Sequence, residues 1–171
     1  MTTTKRAKVL VTGAGGFLGS YIVRDLLLRD YEVYSFSRKK YPKLEEMGVI
    51  QRQGDLANLA DVERALEGMD AVIHTASQVG MWGRYDDFYK TNVVGTENII
   101  HACHTHHVKK CVYTSTPSVA FGNQSLCGVD ESVDYPDRYY SIYAETKAFA
   151  EKKILLANNG RLSTVALRPH L

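Results

Sequence analysis

Short apolar runs alternate along the chain with longer stretches whose apolar residues recur at helical spacing. The runs predict six strands, at Lys8–Thr12 (KVLVT), Glu32–Ser37 (EVYSFS), residues 49–53 (VIQRQ), Ala71–His74 (AVIH), residues 110–115 (KCVYTS) and residues 164–167 (TVAL). Between them the spacing predicts helices over Phe17–Leu28, Leu59–Leu66, residues 85–107 and residues 139–158. Strands that alternate with helices need crossover connections, which implies an α/β fold: a Rossmann-type, doubly wound parallel sheet with helices on both faces. Such sheets bind ligands outside the carboxyl ends of their strands, so the loops after Thr12, Ser37, Gln53, His74, Ser115 and Leu167 are where chemistry is expected. No repeat, low-complexity tract or Pro/Gly/Ser linker divides the 171 residues, and the length suits one domain.

Composition narrows the function by exclusion. Twenty-one Lys and Arg against 19 Asp and Glu leave a formal net charge of +2, too small for an electrostatic nucleic-acid binder. Mean hydropathy is -0.24, and no apolar run approaches the ~18–20 residues of a membrane span. The opening MTTTKRAKVLVTG lacks the apolar core of a secretory signal. Three cysteines (Cys103, Cys111, Cys127) without a C-x-x-C spacing fit reduced thiols, and a cytoplasmic location is expected.

The loop after the first strand reads Thr12-Gly13-Ala14-Gly15-Gly16-Phe17-Leu18-Gly19 and opens a helix. That placement points to a dinucleotide pyrophosphate, held by backbone N–H groups and the positive helix end. Gly13 permits the tight turn, Gly16 lets the backbone approach the phosphates, and Gly19 allows close helix–strand packing. The spacing is GxxGxxG, because position 18 is Leu. A carboxylate at the end of the second strand would select NAD(H). Here Ser37-Arg38-Lys39-Lys40 brings a hydroxyl and three cations, which predicts NADP(H) in preference to NAD(H). Asp55, before Leu56 in the Gly-Asp-Leu after the third strand, either accepts from the adenine amino group or belongs to a helix cap near Asn58.

Tyr143 and Lys147 stand four apart on one predicted helix, so they share a face. A phenol with a pKa of ~10 needs a neighbouring ammonium to serve as an acid–base group near neutrality. With 11 Tyr in the chain, chance alone supplies roughly one Tyr-x-x-x-Lys pair, so placement carries the inference. The helix follows the fifth strand, which ends in the hydroxyl cluster Thr114-Ser115-Thr116-Pro117-Ser118. One of those hydroxyls can hold a substrate carbonyl beside the phenol. The cluster His101, His104, His106, His107, Cys103 and Cys111 lacks an evident fourth ligand, and no metal is expected. Trp82 and Tyr85 either touch substrate or cover the core; Tyr139 and Tyr140 read as packing residues at a helix start.

Together TGAGGFLG, GDL, HTAS (74–77), NVVGT (92–96), YTSTPSVA (113–120), YAETK and LRP resemble the nucleotide-binding half of the extended short-chain dehydrogenase/reductases, in their 3β-hydroxysteroid dehydrogenase-like branch. VGMWG (79–83), YTSTPSV and VALRPHL are similar to the 2-alkyl-3-oxoalkanoate reductases of bacterial long-chain olefin biosynthesis. The resemblance implies an NADPH-dependent reductase of a hydrophobic β-keto acid. Tyr143 is then the general acid, Lys147 its tuner and a ribose ligand, and Thr116 the catalytic hydroxyl, with Ser115 as rival. Asn92 supports the site, Thr75, Ala76 and Ser77 line the dinucleotide groove, and Pro169 and His170 lie near the nicotinamide. It also implies a homodimer through helices 85–107 and 139–158, consistent with apolar Val93, Val94, Ile99, Ile100, Phe149 and Leu155. Members of this family carry a C-terminal substrate lobe. Residues 1–171 are expected to form the NADP-binding domain alone. Alternatives of the same superfamily are sterol or 3β-hydroxysteroid dehydrogenation and nucleotide-sugar epimerisation or dehydration; an alternative of another class is a non-catalytic NADP(H) sensor.

Overall fold

The computed structural model describes residues 6–122 and 127–170; residues 1–5, which open the N-terminal stretch discussed above, and Leu171 lie outside them. Six parallel strands, β1 (Lys8–Thr12), β2 (Glu32–Ser37), β3 (Ile50–Gln53), β4 (Ala71–His74), β5 (Lys110–Thr114) and β6 (Ser163–Leu167), form one sheet in the order β3-β2-β1-β4-β5-β6. The order reverses between β1 and β4, and a crevice opens there above the carboxyl ends. β1 is apolar at successive positions because it is buried on both faces. Leu10 packs into the core beneath α3 (Leu59–Leu66), α5 (Gly95–Thr105) and α6 (Ile142–Leu156), with Phe36, Leu66, Val72, Ile99 and Ile154. Val9 and Val11 face the opposite core with Val23, Val33 and Leu44, under α1 (Phe17–Leu28) and α2 (Pro42–Glu46).

The six strands and the doubly wound arrangement agree with the sequence reading; several boundaries do not. The helix expected over 85–107 is three pieces: α4 (Tyr85–Phe88), a π-helical segment Tyr89–Val94, and α5. The wider turn turns Asn92 inward to partners in two other segments, described below. The helix expected from 139 begins at Ile142, because the Ser141 hydroxyl caps it by accepting from Ala144 N at 3.1 Å. The short helix α2, with Pro42 in its first turn, and the 3₁₀ turn Pro117–Val119 carry too few residues to show periodicity.

Of the residues considered for a dimer face, Val93 and Ile99 are fully buried within the chain's own core, while Leu155 is exposed. Trp82 is 89% exposed and so does not cover the core. Tyr139 is half-buried and Tyr140 is exposed. No helix among the described residues is long and apolar enough to cross a membrane.

Candidate active site

The glycine loop makes a cradle that side chains would fill. Gly13 has φ +69°, and a Cβ on it would stand 2.7 Å from Thr75 Oγ1 and 2.8 Å from Ala76 N. A Cβ on Gly19 would collide with the Gly13 carbonyl. No side chain caps α1 and no carboxylate sits in its first turn, so the helix start keeps its N–H groups and positive end for a ligand. These residues form one side of a groove of about 960 Å³ across the carboxyl ends of β1 to β4. The groove brings together Gly13, Gly16, Phe17, Leu18 and Gly19 from the loop, Ser37 and Arg38 after β2, Asp55 and Leu56 after β3, and Thr75, Ala76 and Ser77 after β4. This donor set and the open cradle fit a dinucleotide.

Two polar candidates in the groove are partly engaged. The Ser37 hydroxyl donates to Lys39 O at 2.6 Å, so its proton closes the turn and is not free for a phosphate. Asp55 accepts from Ala57 N at 2.9 Å, while Asn58 caps α3 by accepting from Asp61 N at 3.3 Å. Arg38 is exposed and makes no ion pair with any described residue. The groove also contains Lys39 of the cationic run, and Phe36, Tyr41, Gln78, Lys90 and Thr91, which sequence reasoning did not assign to it. Tyr41 closes over Gly15, and Lys39 Nζ lies 5.3 Å from its ring centre. Its only local signal is the Tyr-Pro step that opens α2.

Beneath the groove runs a buried polar chain. Ala76 N donates to Thr12 Oγ1 at 3.1 Å, and Thr12 Oγ1 lies 2.7 Å from His74 Nδ1. His74 Nε2 lies 3.1 Å from Thr96 Oγ1, which donates to Asn92 O at 2.7 Å. With those donors and acceptors fixed, the network assigns the proton of His74 to Nε2. Burial, with the Lys147 charge in support, pushes the His74 pKa down to about 3, so the ring is neutral. The Asn92 side chain accepts from Gln78 N at 2.7 Å and donates to Gln78 O at 3.1 Å and to Thr146 Oγ1 at 3.0 Å. It thereby ties the groove wall to α6, between Tyr143 and Lys147.

Tyr143 is half-buried, with Thr116 near enough to act on its phenol; the Thr116 hydroxyl donates to Ser118 Oγ at 3.1 Å and accepts from Ser118 N at 3.3 Å. Burial holds the phenol above its usual range, and Thr116 acts against that. Lys147 is buried; its Nζ donates to Thr114 O at 2.6 Å and lies 4.0 Å from the Tyr113 ring centre. Burial lowers its pKa to about 7, against the pull of Glu151. The expected lowering of the Tyr143 pKa by Lys147 is therefore not expressed in this arrangement. A lysine that holds its proton only part of the time at neutral pH is a weak electrostatic partner. Ser115 is buried beside the Glu151 carboxylate, whereas Thr116 is half-buried and acts on the Tyr143 phenol. Pro169 is exposed and is not brought to the groove; Arg168 and His170 line a separate cavity with Pro117, Phe121 and Val129. Among the described residues, no group of His, Cys, Asp and Glu is placed to hold a metal ion.

The model of the 3-beta hydroxysteroid dehydrogenase/isomerase family matches residues 10–171. A 2-alkyl-3-oxoalkanoate reductase of Stenotrophomonas maltophilia (strain K279a) is 48% identical over 167 residues, covering 96% of this chain and 50% of that protein. The protein of that name from Shewanella oneidensis is 45% identical over 174 residues, covering 98% and 45%. Among solved structures, a Thermus thermophilus UDP-glucose 4-epimerase in complex with NAD superposes with a TM-score of 0.81 at 32% identity, covering 94% of this chain and 54% of that one. The chain thus spans about half the length of the curated relatives it matches.

Proposed function

Because the chain belongs to the 3-beta hydroxysteroid dehydrogenase/isomerase family, we propose that it forms the nucleotide-binding and proton-donating part of an NADPH-dependent ketone reductase. The substrate is a hydrophobic 2-alkyl-3-oxoalkanoate, reduced to the 3-hydroxy acid. The carrying observation is the joining of two half-sites by Asn92: the glycine-lined groove on one side of it, and the Tyr143–Thr116–Lys147 constellation on the other. The N–H groups at the start of α1 receive the pyrophosphate, and Asp55 faces the adenine. Arg38, with Lys39 beside it, pairs with a 2′-phosphate, which supports NADPH over NADH. When bound there, NADPH supplies the hydride that the carbonyl carbon takes up.

The chain's own residues do the rest. The Thr116 hydroxyl holds the carbonyl oxygen beside the phenol. Tyr143 Oη gives its proton to that oxygen as negative charge develops on it. Lys147, from beneath, fixes the ribose hydroxyls and, when protonated, stabilises the phenolate that remains. The elevated phenol pKa suits an acid that must keep its proton until the oxygen needs it. We place this chemistry in the cytoplasm, where thiols such as the three free cysteines stay reduced, and in a homodimer that uses the exposed faces of α5 and α6.

The test is direct. Purified protein is mixed with NADPH and a 2-alkyl-3-oxoalkanoate, and the nicotinamide absorbance is followed. Decay that falls by at least ~100-fold in Tyr143→Phe, with NADPH affinity within about threefold, supports the assignment. Tight NADPH binding without decay would favour a binding module instead.

A further inference from the structure

Glu151 has no part in the chemistry above, yet it is 1% exposed on α6, one helical turn beyond Lys147. A carboxylate at that depth is costly unless donors surround it. Arg168 reaches it with Nη2 at 2.6 Å and with Nε at 3.2 Å from each oxygen, and the Tyr135 hydroxyl donates at 2.6 Å. These partners come from different parts of the chain. Arg168 follows β6 directly, and Tyr135 belongs to the segment that leads into α6. Arg168 and Lys152 also lie against the Tyr135 ring, 5.6 and 4.3 Å from its centre.

We propose that Glu151 is a positioning residue for the reductase site: one helical turn from Lys147 on α6, its buried carboxylate is the anion set against that lysine and, through Arg168 and Tyr135, fastens the end of β6 and the segment before α6 to the helix that carries Tyr143. The functional half of this inference rests on the roles proposed above for Tyr143 and Lys147. The surroundings of Lys147 single Glu151 out. From α6 itself come Tyr143 and Glu151. β4 presents His74, which is neutral, and β5 presents the Tyr113 ring and the Thr114 carbonyl. The π-helical segment contributes the uncharged Asn92 to α6, and the end of β6 contributes the cation Arg168. Glu151 is the anion in this set. Burial pushes the Glu151 carboxyl up, but the Arg168, Ser115 and Tyr135 side chains outweigh it and hold it below its usual range. It is therefore ionised at neutral pH. Burial lowers Lys147 to about 7, and that carboxylate draws it back towards its charged form. Without the carboxylate the ammonium deprotonates at neutral pH and returns only in acid.

The experiment reads the lysine without cofactor. The protein is labelled with ¹³Cε-lysine, and the Lys147 resonance is identified by its loss in Lys147→Met. Its titration is then followed by NMR. The native midpoint is expected near 7. In the E151Q/R168Q double variant, which removes both charges and leaves a buried pair of amides, the midpoint should fall by about one pH unit. Glu151→Asp loosens the packing but keeps the charge, and its midpoint should stay within a few tenths of a unit. NADPH affinity at pH 7 should drop by about tenfold in the double variant and recover towards pH 6. A double-variant midpoint equal to the native one overturns the proposal, and so does an equal fall in Glu151→Asp. A fall in midpoint in a protein that binds no NADPH would uphold the Glu151–Lys147 coupling and refute the reductase reading.

Discussion

Replacing Arg38 by alanine separates the two nicotinamide cofactors by a single contact. NADPH differs from NADH by a 2′-phosphate, a dianion near neutrality, and Arg38 is a cation without an ion-pair partner among the described residues, at the end of β2 where that group would lie. A hydrogen bond to a charged group contributes about 1.5–3 kcal/mol. Arg38 is exposed, so solvent screening reduces that to about 1–2 kcal/mol. The loss corresponds to roughly 5- to 30-fold in Kd. Lys39 stands next in the chain but leans on the Tyr41 ring, so it replaces only part of the contact. NADH has no phosphate there, and its Kd should change by less than about twofold. The assay is a fluorescence titration of both cofactors against native and Arg38→Ala protein at low and high salt. The selective loss should shrink as salt rises, because the contact is exposed. Equal losses for NADPH and NADH, or no loss for NADPH, would refute the argument and return the RKK run to an ordinary solvated surface.

Gly19→Ala should lower Tm by several degrees, because the new methyl meets the Gly13 carbonyl and such overpacking costs about 1–3 kcal/mol; a thermal melt checks it. Asn92→Leu strands the Gln78 backbone and the Thr146 hydroxyl in a buried setting, at a cost of about 2–4 kcal/mol. Urea unfolding should show that loss, and NADPH affinity should fall with it as the groove wall loosens; a variant with native affinity would break the proposed coupling. His74 is depressed from 6.5 to about 3 in the fold, so the unfolded chain takes up a proton first, and stability is lost as pH falls below 6.5 towards 3. The slope attributable to it is about 1.4 kcal/mol per pH unit, and His74→Asn should flatten the difference between urea midpoints at pH 7 and pH 5.

What could be read in the sequence is what the backbone decides locally. Lys8–Thr12 is apolar at consecutive positions because it is covered on both sides, and such a run reads as a central strand with no knowledge of its neighbours. Part of the glycine loop announces itself for a similar reason, since a Cβ on Gly16 or Gly19 would press on the Gly13 backbone only a few residues away, whereas Gly13 and Gly15 face Thr75, Ala76 and the Tyr41 ring from distant parts of the chain. The dinucleotide half of the site was legible on that account. The half proposed to donate the proton was legible only as residue types. That Thr116, not Ser115, acts on the Tyr143 phenol depends on how the chain turns after β5, and the two hydroxyls are adjacent in sequence. The charge on Lys147 depends on burial and on Glu151, and Glu151 depends on Arg168, 17 residues further along the chain. The π-helical segment was invisible for another reason: one additional residue in a turn barely disturbs a 3.6-residue pattern over 20 residues, yet it decides where Asn92 points.

The buried polar residues under the groove add up to more than separate satisfied groups. Each hydroxyl between Ala76 and Asn92 both accepts and donates, and the imidazole between them does the same through its two nitrogens. Such a chain has one direction of donation. Reversing it takes the Thr96 proton away from the Asn92 carbonyl and leaves the Thr12 hydroxyl proton without its acceptor, both in buried surroundings. The groove floor at Ala76 and the helix turn at Asn92 are therefore held in register by proton positions as well as by packing. A charged His74 would need to donate from both nitrogens. Thr12 would have to turn its own proton away while still accepting from Ala76. Burial forbids that charge. The ring is thus a fixed connector, which leaves the proposed acid–base work to Tyr143 and Lys147 on the far side of Asn92.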